Sequence, residues 1–207
     1  MVSDPDLTAR ANIRDCALSL FADRGAESVT VRDIAACAEV SPALVLHHYG
    51  SKQGLVDAVN EHVSGLFDTM LNQEPEDWTA LIDEGPASSA SFAEMLLANL
   101  SPGTRVPAYL RRLFLSGDSV GMDLFRRWYQ MTIEVTRQGI AAGIMQPVDD
   151  VEARAAFLLC NDLSMILFRL HLMDAAGIDP LTHEGLDRYA DTAMRAYTTG
   201  VFRTEKQ

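Results

Sequence analysis

Residues Thr30–Lys52 read TVRDIAACAEVSPALVLHHYGSK. Thr30 is followed three residues later by Asp33, a capping-box-like pair that opens a short helix. Ile34, Ala35 and Ala38 share one face of it. Ser41 is a second N-cap, and Pro42 takes the first helical position, where a missing N–H costs nothing. Gly50 ends this second helix, and Ser51 caps the next. The stretch predicts two short helices joined by a tight turn, with a longer helix starting directly after them.

The same periodicity extends in both directions. Thr8–Arg24 carries Ile13, Ala17, Leu20 and Phe21 at helical spacing, and Gly25 suits the position just past a helix end. Leu55, Val59, Val63, Leu66 and Met70 continue in register downstream. Residues 72–90 change character, with Pro, Glu, Asp, Gly and Ser dominant. They predict a connection with one helical turn near Trp78–Ile82. Further helices are expected over 91–100, 105–116, 119–142, 150–176 and 180–200, separated by Ser-Pro-Gly, Ser-Gly-Asp and Gly177 breaks. Asp149 with Glu152 looks like the cap of the helix from 150. No β-alternation is convincing, so the fold class is all-α. A three-helix unit over 1–51 is followed by a larger helical bundle over 52–207.

Composition narrows the function. The 207 residues are 48% hydrophobic, enough for a sizeable core. No apolar run reaches the roughly 18 residues a membrane span needs, and the acidic, polar start is unlike a signal peptide. A cytoplasmic protein without membrane contact is expected. The formal charge of −12 excludes a general nucleic-acid coat, so any DNA contact must be local. Only two lysines occur, Lys52 and Lys206. Cys16, Cys37 and Cys160 lie far apart in apolar helical patterns and read as buried small hydrophobes, not as a disulfide or metal ligands. Adjacent His47 and His48 point about 100° apart on a helix and cannot chelate one ion from one face. No catalytic set, metal site or cofactor motif is expected.

With Val45 taken as the inward anchor of the second short helix, Tyr49 falls beside it, and Ala43, Leu44, Leu46 and His47 point outward. An outward face of alanine, two leucines and a histidine is odd for a free surface. It suits a major groove, where apolar groups meet thymine methyls and a histidine bonds a base edge or a phosphate. Thr30 and Arg32 open the preceding helix and Lys52 the following one, each placed to touch the DNA backbone. Taken singly, Arg32, His47 and His48 also fit ordinary solvated side chains, and Tyr49 a core residue with its hydroxyl at the edge.

These residues resemble the TetR family of transcriptional regulators. The resemblance is carried by Phe21 and Gly25 in F-x-x-x-G, by T-V-R-D-I-A from Thr30, by V-S-P from Val40, and by H-H-Y-G-S-K from His47. It implies a homodimer whose N-terminal helices bind a palindromic double-stranded operator and whose C-terminal bundle binds a small effector. It implies repression by default. Thr30 and Arg32 would contact phosphate, and Ser41, Pro42, Ala43, Leu44, His47 and His48 would lie in or beside the groove. Tyr49 and Lys52 would support and contact the backbone. The last two helices, about 150–176 and 180–200, would form the dimer interface. Three departures stand out: Glu39 where the family often has Gly, Leu46 where Tyr is common, and Asp4 and Asp6 in place of a basic arm.

The candidate effector residues are Leu96, Phe114, Phe125, Trp128, Tyr129 and Asp162, drawn from apolar helices that serve equally as plain core. Asp162 and Arg169 are seven apart, on one helix face, and could pair. Phe157–Leu172 is apolar on most of its circumference, which calls for cover by a second copy or a central place in a monomeric bundle. A His-dependent enzyme and a helical interaction module without ligand response are the competing classes.

Overall fold

In a computed structural model that describes residues 5–71 and 103–199, all regular structure is helical. Helices α1 (Pro5–Arg24), α2 (Val31–Cys37), α3 (Pro42–Tyr49) and α4 (Lys52–Leu71) come first, with a 3-10 turn at Ala26–Ser28 between α1 and α2. Then follow α5 (Val106–Leu115), α6 (Ser119–Ala141), α7 (Val151–Leu167), α8 (Arg169–Ala176) and α9 (His183–Thr199). The connection expected over 72–90, the helix over 91–100 and Leu96 lie outside the described residues. The chain packs as two units, Met1–Thr69 with Ser101–Phe125, and Met70–Leu100 with Arg126–Gln207.

In the first unit the inward stripes of the opening helices meet. Ile13, Ala17, Phe21, Ile34, Val45, Leu55 and Val59 are each at most 1% exposed. Burying a side chain such as Ile13 or Phe21 stabilises by roughly 1.5–3 kcal/mol. Helix α5 packs on α1 and closes the end of that helix. The Arg112 guanidinium donates to the carbonyl oxygens of Ala22 (3.3 Å) and Asp23 (2.9 Å), which the end of α1 leaves without helical partners. Arg105 forms an ion pair with the Asp23 carboxylate. Gly25, at φ 82, makes room for this: a Cβ there would stand 3.2 Å from an Arg112 nitrogen. The Tyr109 hydroxyl donates to Asn60 Oδ1 at 2.6 Å, joining α5 to α4. Burial pushes the Tyr109 phenol up to about 12, with Asp118 adding to the rise.

The cysteine expectation is corrected. Cys16 and Cys37 form a disulfide that joins α1 to the last residue of α2, with Cα atoms 5.8 Å apart. Neither cysteine is buried, and Cys160 is free and exposed. The 21-residue separation hid the pairing, because the contact is made by the crossing of two helices and not by local spacing.

In the second unit, the expected helix over 150–176 is broken. Helices α7 and α8 are bent by 71° about Phe168. Arg169 does not pair with Asp162; its guanidinium makes a two-pronged bond to Asp179, at 2.7 Å to each oxygen. This pair fastens α8 to the loop that follows it, and the bond from Arg169 holds the Asp179 carboxyl below the ordinary range. The cap of α7 is Asp150, whose carboxylate accepts from the Ala153 N–H at 2.8 Å, while Glu152 pairs with Arg137. Among the described residues no single helix is long and apolar enough to cross a membrane.

The turn between α2 and α3 explains the departure at position 39. Val40 N–H donates to the Ala35 carbonyl (2.9 Å) and Glu39 N–H to that of Ala36 (3.4 Å), the paired bonds of a Schellman helix end. That geometry puts Glu39 at φ 56, where glycine is favoured. Left-handed backbone costs a non-glycine residue about 1–2 kcal/mol. Glu39→Gly is expected to raise the melting temperature by about 2–4 °C in calorimetry; an unchanged or lower value contradicts this turn.

Candidate nucleic-acid interface

The start of α2 is fixed by a full capping box. Asp33 N–H donates to Thr30 Oγ1 (3.2 Å), and Thr30 N–H donates to Asp33 Oδ2 (2.8 Å). The Thr30 hydroxyl also donates to Asp33 Oδ2, at 2.6 Å. These bonds, the side-chain one first, hold the Asp33 carboxyl below its ordinary range. The Thr30 hydroxyl is therefore committed to shaping the helix start. Arg32, two residues on, is exposed.

Helix α3 has eight residues and too little length to persist alone. Ser41 Oγ accepts from Leu44 N–H at 3.1 Å, Pro42 occupies the first turn, and Gly50 closes the end at φ 73, its N–H donating to the Leu46 carbonyl. Val45 is its buried side chain. The Tyr49 hydroxyl donates to the Arg10 carbonyl at 2.7 Å, and the Arg10 guanidinium lies 5.5 Å from the Tyr49 ring centre. Partial burial raises the Tyr49 phenol, and Arg10 opposes the rise. Tyr49 is thus a strut between α1 and α3.

With that face fixed inward, the other face is determined. Ser41, Pro42, Ala43, Leu46 and His47 are exposed, Leu46 to 44%. Leu44 and His48 are half-buried. Lys52 is also half-buried, and its Nζ donates to the Glu27 carbonyl at 3.2 Å. One of its three N–H donors is so engaged, which holds the ammonium beside the 3-10 turn. The structure brings Thr30, Arg32, residues 41–49 and Lys52 together in one unit with short elements between them.

The residues that hold this surface carry no recognisable signal in the sequence. Arg10 braces Tyr49, and Asn12 Nδ2 donates to the Ala38 carbonyl at 3.0 Å, just before the turn. Arg112 caps α1 from about ninety positions away. Each acts through a backbone carbonyl, and no residue pattern announces such a bond. A cleft of about 450 Å³ lies beside the same elements, lined by Arg10, Arg14, Tyr49, Glu61, His62 and Leu66 among others.

The candidate effector residues have individual places. Phe114 and Phe125, in the first unit, meet edge to face with ring centres 6.5 Å apart. In the second unit Trp128 is fully buried, and the Tyr129 hydroxyl donates to the Glu152 carbonyl at 3.1 Å. Asp162 is half-buried; burial, and then its charge, push the Tyr197 phenol up to about 12.

Residues 13–59 match the family model described as bacterial regulatory proteins, tetR family. Residues 104–203 match that of the tetracyclin repressor-like C-terminal domain. The chain is 34% identical over 158 residues to the HTH-type transcriptional regulatory protein RaaS of Mycobacterium tuberculosis, covering 74% of this chain and 67% of that protein. It is 36% identical over 67 residues to the HTH-type transcriptional repressor KstR2 of Rhodococcus jostii, covering 32% of this chain and 31% of that protein. Among solved structures it resembles Salmonella enterica GusR, with TM-score 0.65 at 18% identity over 97% of this chain and 98% of that one. It also resembles SmeT in a triclosan complex, with TM-score 0.66 at 19% identity over 96% of each chain. At these identities the likeness of structures concerns the fold.

Two substitutions test the supports of α3. Tyr49→Phe removes the bond to the Arg10 carbonyl and is expected to cost about 1 kcal/mol in denaturant unfolding; no change contradicts the strut. Asp33→Asn is expected to lower the melting temperature at neutral pH. Because the folded Asp33 carboxyl is held down, its contribution is complete above the ordinary carboxylate range and is lost as pH falls through the lowered value. The two proteins should therefore converge in acid, and a constant gap across the pH range contradicts this assignment.

Proposed function

The chain belongs to the tetR family of bacterial regulatory proteins and is a DNA-binding transcriptional regulator, and on that premise we propose that it is a homodimeric repressor released from a palindromic operator by a small, lipophilic effector. The observation that carries the proposal is the face of α3: Ala43, Leu46 and His47 are exposed, while Val45 and Tyr49 hold the helix from behind. Apolar side chains presented on a short, capped helix fit thymine methyls in the major groove. Ser41, Pro42, Leu44 and His48 flank that face. Arg32 and Lys52 take backbone phosphates on either side. Thr30 contributes by fixing where α2, and so Arg32, begins. The charge of −12 leaves attraction to phosphate to these few cations.

The dimer is supported by apolar side chains that a lone chain leaves uncovered. Phe157 (62% exposed), Phe168, Leu170, Met173 and Tyr197 lie on α7, the Phe168 bend, α8 and α9. The Phe157 and Tyr197 rings meet edge to face at 6.2 Å. Such a set is characteristic of a buried interface. The effector is assigned to the region that matches the tetracyclin repressor-like C-terminal domain. The triclosan bound to SmeT supports an effector of lipophilic chemistry. An enzyme acting through His47 or His48 gains no support from relatives that are transcriptional regulators.

The test is a gel shift with the DNA upstream of the chain's own gene. Specific retardation is expected, with affinity falling on the order of tenfold in Arg32→Ala and in Lys52→Ala. Each variant should also flatten the logarithmic salt dependence by about 0.9. No specific retardation, or variants equal to the parent, contradicts the proposal. In light scattering the chain should be a dimer at micromolar concentration, and Phe157→Arg should shift it toward monomer; a monomeric parent contradicts the dimer.

A further inference from the structure

The Cys16–Cys37 pair lies outside the residues assigned above to DNA contact, yet it joins α1 to α2 in the same unit as α3. We propose that it is a reversible thiol-oxidation site whose disulfide form holds the head more firmly in its DNA-reading geometry than its dithiol form. This rests on the role of α3 proposed above.

Placement is the first support. Cys37 is the last residue of α2, next to Ala38 and two residues before Glu39 at φ 56. Asn12 and Cys16 are one turn apart on α1 and so share a face. Asn12 bonds the Ala38 carbonyl, and Cys16 bonds Cys37. Both therefore grip the same end of α2, just before the turn that sets Ser41 and the start of α3. In the dithiol form the hydrogen bond from Asn12 remains as a side-chain grip from α1 beside the turn's own backbone bonds, on a turn with an unfavourable residue at its left-handed position. The oxidised form adds a covalent one, and the head carrying it has the α3 face exposed.

Accessibility is the second. Cys37 is exposed and Cys16 half-buried, so a small oxidant can reach the pair. A DNA-binding regulator works where thiols are kept reduced, and disulfides there are mostly transient and redox-sensing. The Cα separation of 5.8 Å lets the bond form and open with little backbone movement.

With a small-molecule disulfide as oxidant the chemistry balances. The Cys37 thiolate attacks one sulfur of that disulfide, forming a mixed disulfide and expelling a small thiolate. The Cys16 thiolate then attacks the Cys37 sulfur, forming the Cys16–Cys37 bond and expelling the second small thiolate. Two electrons pass to the oxidant, and the two protein thiol protons end on the two released thiols. Excess reduced thiol reverses both steps.

The full chain equilibrated with oxidised or with reduced glutathione tests this. Non-reducing peptide mapping should find Cys16 linked to Cys37 in the first sample and both free in the second. Oxidation should raise the melting temperature by about 5–10 °C. It should tighten binding to the DNA upstream of the chain's own gene by about three- to tenfold, as expected of a pre-organised surface. Both differences should vanish in Cys37→Ser and in Cys16→Ser. Failure of the linked peptide to form, or its formation with unchanged DNA affinity, overturns the proposal. Specific binding that is equal in both samples refutes the thiol site alone, whereas specific binding in neither refutes the role of α3 and this proposal with it.

Discussion

The burial of Val45 is the constraint on which the proposed DNA-reading face of α3 depends. An eight-residue helix has no stable orientation of its own, and in α3 Val45 is the buried side chain. Once it is inside, a rotation of 100° per residue decides which side chains face out. Ala43, Leu46 and His47 follow from it, as does the inward place of Tyr49. The remaining supports act on the same helix from its ends. Ser41 caps the start, Gly50 ends it, and Tyr49 ties the last turn to the Arg10 carbonyl. Removing Val45 would free the helix to roll, while removing any end support alone would loosen it.

The supports form a chain of contacts that runs back through α1. The end of α1 is closed by Arg112 and Arg105 from α5, and Tyr109 ties α5 to α4. The middle of α1 carries Asn12 and Cys16, which grip the end of α2. Its first half carries Arg10, which braces α3. Helix α1 is therefore the frame on which α2, α3 and α5 are hung. In a protein of charge −12, the proposed phosphate contacts rest on a few cations whose placement this frame fixes.

Much of the head was legible in the sequence because its signals are local. Caps at Thr30 and Ser41, Pro42 in the first turn and Gly50 at the end each act within four residues, and each is where the pattern placed it. The left-handed backbone at Glu39 had no local signal; the one pointer to it was the resemblance, in which Gly is often found at that position. The misses are tertiary. The Cys16–Cys37 bond, the Arg169–Asp179 pair and the bend at Phe168 depend on which segments meet, and spacing along one helix carries no such information. Asp162 and Arg169 share a face of an ideal helix, yet the chain bends between them and Asp179 takes the arginine. Arg10 and Arg112 were invisible as supports because they act on, or through, backbone carbonyls.

If the exposed face of α3 is what meets DNA, thymine methyl groups beneath it should carry much of the recognition. The direct measurement is a scan in which each thymine of the bound DNA is replaced by uracil, removing one methyl group at a time, with affinity measured for the parent and for Leu46→Ala. A loss of severalfold is expected at thymines beneath α3, with part of this sensitivity disappearing in Leu46→Ala. Uracil tolerated at every position, with affinity governed by guanine substitutions instead, would contradict it.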